Sequence, residues 1–181
     1  MMLLYKSYVR THVEYCCPLW SPHLQCDIIK IEAVQGSFTA KIAGYRTHNN
    51  WERLRRLSLY SLQRRRERYT IIIVWKMYND VIPNSVSIVF RETSRHGPTC
   101  TRPLGDSKYS SINTLRFNSF ASIASALFNV VPPNIKTLTS LTKFKSALDA
   151  FLKSFPDTPP TPGYIGQNNN SLLEWAGSIC N

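Results

Sequence analysis

The sequence predicts a mainly α-helical fold: a helical bundle of about five to six helices with a small β-hairpin insertion and an extended Pro-rich C-terminal tail. Three observations predict it. Apolar residues recur at helical spacing in five segments, each with a recognisable start or stop. Residues 83–117 are instead cut by Pro83, Pro98, Pro103, Gly97 and Gly105 into short runs of strand character. Four of the eleven prolines crowd into residues 156–162, a composition that favours extended chain.

The first helix is expected over residues 3–17. Leu4, Tyr8, His12 and Tyr15 follow one face, Tyr5, Val9 and Cys16 widen it, and Pro18 and Pro22 stop it. A second helix fits 24–43, with Ile28, Ile31, Val34, Phe38 and Ile42 inward and Gly44 placed to end it in a left-handed turn. Asn50 stands where a short helix over 50–57 needs its cap, with Leu54 and Leu57 inward. From 61 to 81, Leu62, Tyr69, Ile73 and Met77 share a face and Arg64, Arg65 and Arg68 project on the other. Its second half, residues 71–75, is apolar all round, which means a helix buried on every side or a strand. Continuity of the repeat through both halves favours the helix. Residues 86–90 and 109–117 are the expected strands. Helices return over 119–130 (Phe120, Ile123, Ala124, Leu127, Val131) and 140–155 (Leu141, Phe144, Leu148, Phe151, Phe155), and prolines end both. Leu172, Leu173 and Trp175 offer at most a weak docking turn. Three regions follow: 1–82 helical and arginine-rich, 83–155 strands then two helices, and 156–181 a Pro/Asn-rich tail.

Composition narrows the function classes. The 181 residues carry 22 Lys+Arg against 11 Asp+Glu, a net charge of +11. That balance makes an anionic partner the first expectation. Ten of the basic residues and only three acids fall between Lys41 and Asp80. Arginine dominates there, and its planar fork suits phosphate oxygens. Trp51, Tyr60 and Tyr69 are interleaved and suit base stacking. The candidate nucleic-acid-binding residues are Arg53, Arg55, Arg56, Arg64, Arg65 and Arg68. The competing explanation for such a run is a solvated helix face. Arg66 lies on the apolar side of its helix, where a partly buried ion pair is the better expectation.

Other chemistries have less support. An odd five cysteines, with Cys16 and Cys17 adjacent, suit a reducing compartment better than a disulfide scaffold. Cys16, Cys17, His23 and Cys26 lack the paired spacing of a zinc site. Small buried hydrophobe is the default for the cysteines, and a satisfied core histidine for His12. No apolar run is long enough to span a membrane, and the basic residues Lys6 and Arg10 follow the apolar start too soon for a signal peptide. HExxH, GxSxG and P-loop patterns are absent. The five aspartates stand apart in the sequence, whereas two-metal nucleotidyl transfer needs clustered carboxylates. No catalytic residue, metal ligand or cofactor is therefore assigned, and no polymerase activity is expected of this chain alone.

Read in order, several segments resemble one family. Leu4-Tyr5-Lys6-Ser7-Tyr8-Val9-Arg10, then Glu14-Tyr15-Cys16 and Leu19-Trp20-Ser21-Pro22, are similar to the run LYKSYVRPHLEYCSPVWSP, with Thr11 in place of proline. Val34-Gln35 and Phe38-Thr39 resemble VQRRFTK, but Gly36 and Ser37 stand where basic residues are usual. The leucines 54, 57, 59 and 62, then Arg64-Arg65, Arg68 and Tyr78-Asn79, continue the pattern. Phe128-Asn129 with Pro132 resembles WNxLP, and Phe144-Lys145, Leu148 and Phe151-Leu152 resemble FKxxLdxfL. The family is the region downstream of the polymerase domain in non-LTR, LINE-type retrotransposon reverse transcriptases of the jockey and chicken-repeat branches. The resemblance covers roughly residues 3–155. It implies a thumb-like and post-thumb helical fragment of an RNA-directed DNA polymerase that grips template, primer or element RNA in the nucleus. The catalytic palm, with its Asp pair and Mg ions, would lie upstream as a partner domain. The departures at Gly36, Ser37 and Phe128 point to a decayed or repurposed copy. The rival class is a host-recruited or non-functional helical interaction module.

Overall fold

A computed structural model gives the fold and describes residues 2–86, 88–93, 97–101, 119–163 and 170–179. Among the described residues the chain is mainly helical with one small antiparallel hairpin, as its patterning predicts. It forms two compact units, Met1–Glu67 with Pro156–Asn181, and Arg68–Phe155. The division therefore falls inside a helix rather than at residue 82, and the tail belongs to the first unit.

In unit 1, α1 (Met2–Leu4) passes through a π-helical turn (Tyr5–Val9) into α2 (Arg10–Glu14). The expected helix to residue 17 breaks earlier, because Tyr15 is extended and Cys16 adopts left-handed φ 48°. Pro18 does not stop a helix. It sits in the first turn of α3 (Cys17–Trp20), where its missing N–H costs nothing. The buried face also differs from the expected one. Tyr5 is buried against Phe38, ring centroids 4.9 Å apart, while Leu4, Tyr8 and Tyr15 face outward and His12 is exposed rather than a core histidine.

α4 (Gln25–Ala40) buries Ile28 as expected, but Val34 is exposed, and Glu32, Gln35 and Thr39 are buried in place of an apolar stripe. Each polar group has a bonding reason. Gln35 accepts from Tyr5 Oη (2.9 Å) and donates to the Tyr60 carbonyl (3.0 Å). Glu32 accepts from the Gln63 backbone N–H (2.7 Å), and Thr39 donates to the Gln35 carbonyl (2.9 Å). The cap of α5 (Asn50–Arg56) is Asn49, one residue before the expected Asn50, accepting from Glu52 N at 2.8 Å.

The tail is built into this unit and is not a free linker. Asp157 accepts from both the backbone N–H (2.7 Å) and Oγ (2.6 Å) of Ser61 at the start of α6 (Leu62–Tyr78). Trp51 Nε1 donates to the Pro159 carbonyl (2.7 Å). Beyond it, α10 (Leu172–Ile179) replaces the expected weak turn, with Leu172 fully buried.

Unit 2 carries the second half of α6. Ile71, Ile72, Val74 and Trp75 are all buried, so the apolar run is a helix enclosed on every side. Trp75 stacks on Phe144 (4.8 Å) and donates to the Leu138 carbonyl (3.1 Å). The hairpin pairs β1 (Val89–Thr93) with β2 (Gly97–Thr101), Val89 opposite Thr101. The patterning did not mark β2 as a strand, and the expected strand over 109–117 falls outside the described residues. Among the described residues three more helices belong to the unit: α7 (Phe120–Val130), the short α8 (Pro133–Lys136) and α9 (Leu141–Leu152). The Asn129 side chain clamps both the N–H (2.8 Å) and the carbonyl (2.9 Å) of Cys100, joining hairpin to α7.

Candidate nucleic-acid interface

The six candidate arginines divide by environment. Arg64 is 0% exposed. Its Nη2 donates to the carbonyls of Pro156 (2.9 Å) and Asn170 (3.2 Å), and Nε lies 3.7 Å from Glu67. Arg64 therefore corrects the expected solvent-facing surface: it is a bolt between the first turn of α6 and the C-terminal segment. Arg65 makes a bidentate pair with Glu14, from Nε to Oε1 and from Nη2 to Oε2. In unit 2, Arg68 makes a bidentate pair with Asp149 of α9, Nη2 to Oδ2 at 2.9 Å. Planar guanidinium and carboxylate groups match geometrically, and such forks fix both partners. Arg64, Arg65 and Arg68 are thus engaged with the protein and do not form a face aimed at solvent.

The neighbouring residues complete a buried charged cluster. Glu67 accepts from Ser171 Oγ (2.8 Å) and Leu172 N (3.0 Å), so it caps α10. Burial raises its carboxyl to about 7, against the opposing pull of Arg64. Glu32 is likewise raised to about 7 by burial, with Arg66 acting in the other direction. Arg66 is buried as expected, and desolvation lowers its pKa while Glu32 supports its charge.

The segment between α4 and α5 differs. Arg53 is half-buried and ties the end of α4 and the following loop to α5, donating to Thr39 Oγ1 (3.3 Å), the His48 carbonyl and the Gly36 carbonyl (3.4 Å). Lys41, Arg46, Arg55 and Arg56 are exposed. Glu52 is the lone acid in residues 41–56, and it pairs with Arg56 at 2.9 Å in an i,i+4 surface contact. Such a pair is worth about 0.3–0.5 kcal/mol and opens readily to another anion. Of the six candidates, Arg55 and Arg56 remain presented outward.

Sequence reasoning passed over unit 2, whose residues include eleven Lys+Arg against four acids. Lys143 and Lys153, on and just after α9, are exposed, as is Arg91 on β1. Their dispersion along the sequence hides them from a search for charge runs. Lys136 is the opposite case: it is buried, donates to the Asn129 carbonyl (3.3 Å) and sits 5.3 Å from the Phe128 ring centroid.

Cys17 and Cys100 are buried, and burial raises their thiols to about 11 and about 12. Cys16 and Cys26 are exposed. Among the described residues no group of three or more His, Cys, Asp or Glu is placed to hold a metal ion, and no helix is long and apolar enough to cross a membrane. Comparison of the chain with family models, curated proteins and solved structures gives no match.

Proposed function

We propose that this chain is a nucleic-acid-binding helical region, of the kind that follows the polymerase domain in LINE-type reverse transcriptases, and that it grips phosphate backbones. The observation that carries the reading is the outward set Lys41, Arg46, Arg55 and Arg56 on one helix–loop–helix with a single opposing acid. Anionic polymers bind such surfaces by releasing counterions, without reading sequence. The resemblance in residues 3–155 supplies the biological setting, with the polymerase chemistry assigned to a domain outside this sequence.

The test is anisotropy of a labelled U-only RNA strand titrated with the protein across a salt series. Binding should weaken steeply, with log K falling by about 0.7 per engaged phosphate for each unit of log salt. Affinity indifferent to salt, or no binding in low salt, would sink the reading.

A second reading, an interaction module, draws on one specific feature. Leu3, Leu4, Tyr8, Tyr15, Leu19 and Leu24 are all exposed, Leu19 at 84%. Where such residues adjoin, they form the kind of apolar patch that marks a contact site. In the reverse-transcriptase setting its partner would be the polymerase domain.

A further inference from the structure

We propose that a cavity in unit 1 binds a guanine base, supplied by a free nucleotide or by an unpaired position in a strand. The cavity measures about 380 Å³, within the rough 300–1,000 Å³ range of small-ligand sites. It opens between the second half of α4, the start of α5 and the proline-rich segment. Glu32, Gly36, Ser37, Asn50, Arg53 and Pro160 line it.

Two of these residues carry buried oxygens with no hydrogen-bond partner, Oε2 of Glu32 and Oδ1 of Asn50. Glu32 is 1% exposed, and its other oxygen is already occupied by Gln63 N. A buried acceptor left unmet costs about 1–3 kcal/mol, so above about pH 7, where Glu32 is ionised, the cavity favours a ligand that brings N–H donors. Arg53 adds the complementary group. Its guanidinium has five N–H donors, and the three bonds to Thr39, His48 and Gly36 leave donors over. Guanine presents adjacent N–H donors at N1 and N2 beside the O6 acceptor. Adenine, cytosine and uracil each offer one donor group on that edge. A cationic ligand also brings donors, but Arg53 in the lining and Arg66 acting on Glu32 oppose it.

Small residues keep the space open. Gly36 and Ser37 are the positions where the resembling family carries basic side chains. A Cβ at residue 36 would meet Asn50 Oδ1 at 3.3 Å, so a long side chain there would fill the cavity. The inference deepens the nucleic-acid reading, but it rests on the cavity and not on the exposed cations.

The experiment titrates the full chain with GMP, AMP, CMP and UMP, followed by calorimetry and by tryptophan fluorescence, since Trp51 bonds the carbonyl of Pro159 beside the cavity. GMP should bind about tenfold or more tightly than the other three. Ser37→Arg, at an exposed position on the rim, and Glu32→Gln should each weaken GMP by about tenfold or more. Ser37→Arg should do so at an unchanged melting temperature and without loss of affinity for the U-only strand, which the added cation can only raise. A strand with an unpaired guanine that competes with GMP assigns the source to a strand, and GMP binding without such competition assigns it to a free nucleotide. Equal affinity for all four nucleotides, no GMP binding at millimolar concentration, or GMP binding that survives both substitutions overturns the proposal. Loss of U-strand binding alone would overturn the phosphate-gripping surface and leave the cavity standing.

Discussion

Arg64 shows how much of this molecule is decided one side chain at a time. A helical wheel places it opposite the apolar stripe, yet it is the deepest arginine of the set, because carbonyls from residues 156 and 170 converge on it. Its sequence neighbours give no sign of partners about a hundred positions away. The same holds for Glu14 and Asp149, which receive Arg65 and Arg68. The burial of Arg66 was legible, because that residue falls among apolar neighbours on its own helix. The two buried glutamates give a prediction at this scale. Glu32 and Glu67 sit at about 7 in the folded protein against an ordinary 4.5. The folded state therefore keeps protons that the unfolded chain has lost between those values. Stability falls as pH rises from about 4.5 to about 7 and levels off above, by at most about 3 kcal/mol per carboxyl. Urea midpoints should drop between pH 5 and pH 7.5, and Glu67→Gln should remove about half of that drop. A midpoint that rises across this window would contradict the assignment.

At the scale of elements, the helices of residues 62–78, 120–130 and 141–152 were legible because long apolar repeats encode them directly. The N-terminal helix was misread in its inward face. A π turn shifts the register, and Tyr5 alone finds a buried acceptor in Gln35. The prolines of the tail are extended as expected, but its docking was not legible, because prolines record local stiffness and not partners. Asp157 joins it to α6, accepting from Ser61 twice and from Asn170 Nδ2 at 2.9 Å. Asp157→Ala should cost about 2 kcal/mol, because it removes buried bonds that hold Ser61, whose Oγ caps the helix by accepting from Arg64 N. Amide exchange in residues 157–160 and in α10 should speed up in the same variant. Exchange unchanged from wild type would show that the strap does not depend on Asp157. The hairpin offers a separate check. Gly97 has φ +60°, and an added Cβ would lie 2.9 Å from Pro133 Cβ. Gly97→Ala should therefore destabilise by about 1–3 kcal/mol, through backbone strain and overpacking together. A neutral substitution would place the hairpin and α8 further apart than described.

For the molecule as a whole, net charge was the most legible property and its placement the least. The arginines of α6 drew attention because they are consecutive, and consecutive charges at a helix start are well suited to clamping distant segments. The outward cations are spread over a loop and two helix ends, where no run announces them. Arginine here has two separate uses. Arg64, Arg65 and Arg68 hold the fold, while Arg55 and Arg56, with Lys41 and Arg46, face solvent. One measurement tests that division most directly: the salt dependence of U-strand binding, taken with the melting temperature, for two sets of glutamine substitutions. Replacing Lys41, Arg46, Arg55 and Arg56 should flatten the slope of log K against log salt by about three units if all four engage phosphates, with little change in melting temperature. Replacing Arg64, Arg65 and Arg68 should lower the melting temperature sharply, and whatever remains folded should bind with the wild-type slope. The reverse pattern, a flattened slope with intact stability in the second set and no effect in the first, would contradict the account.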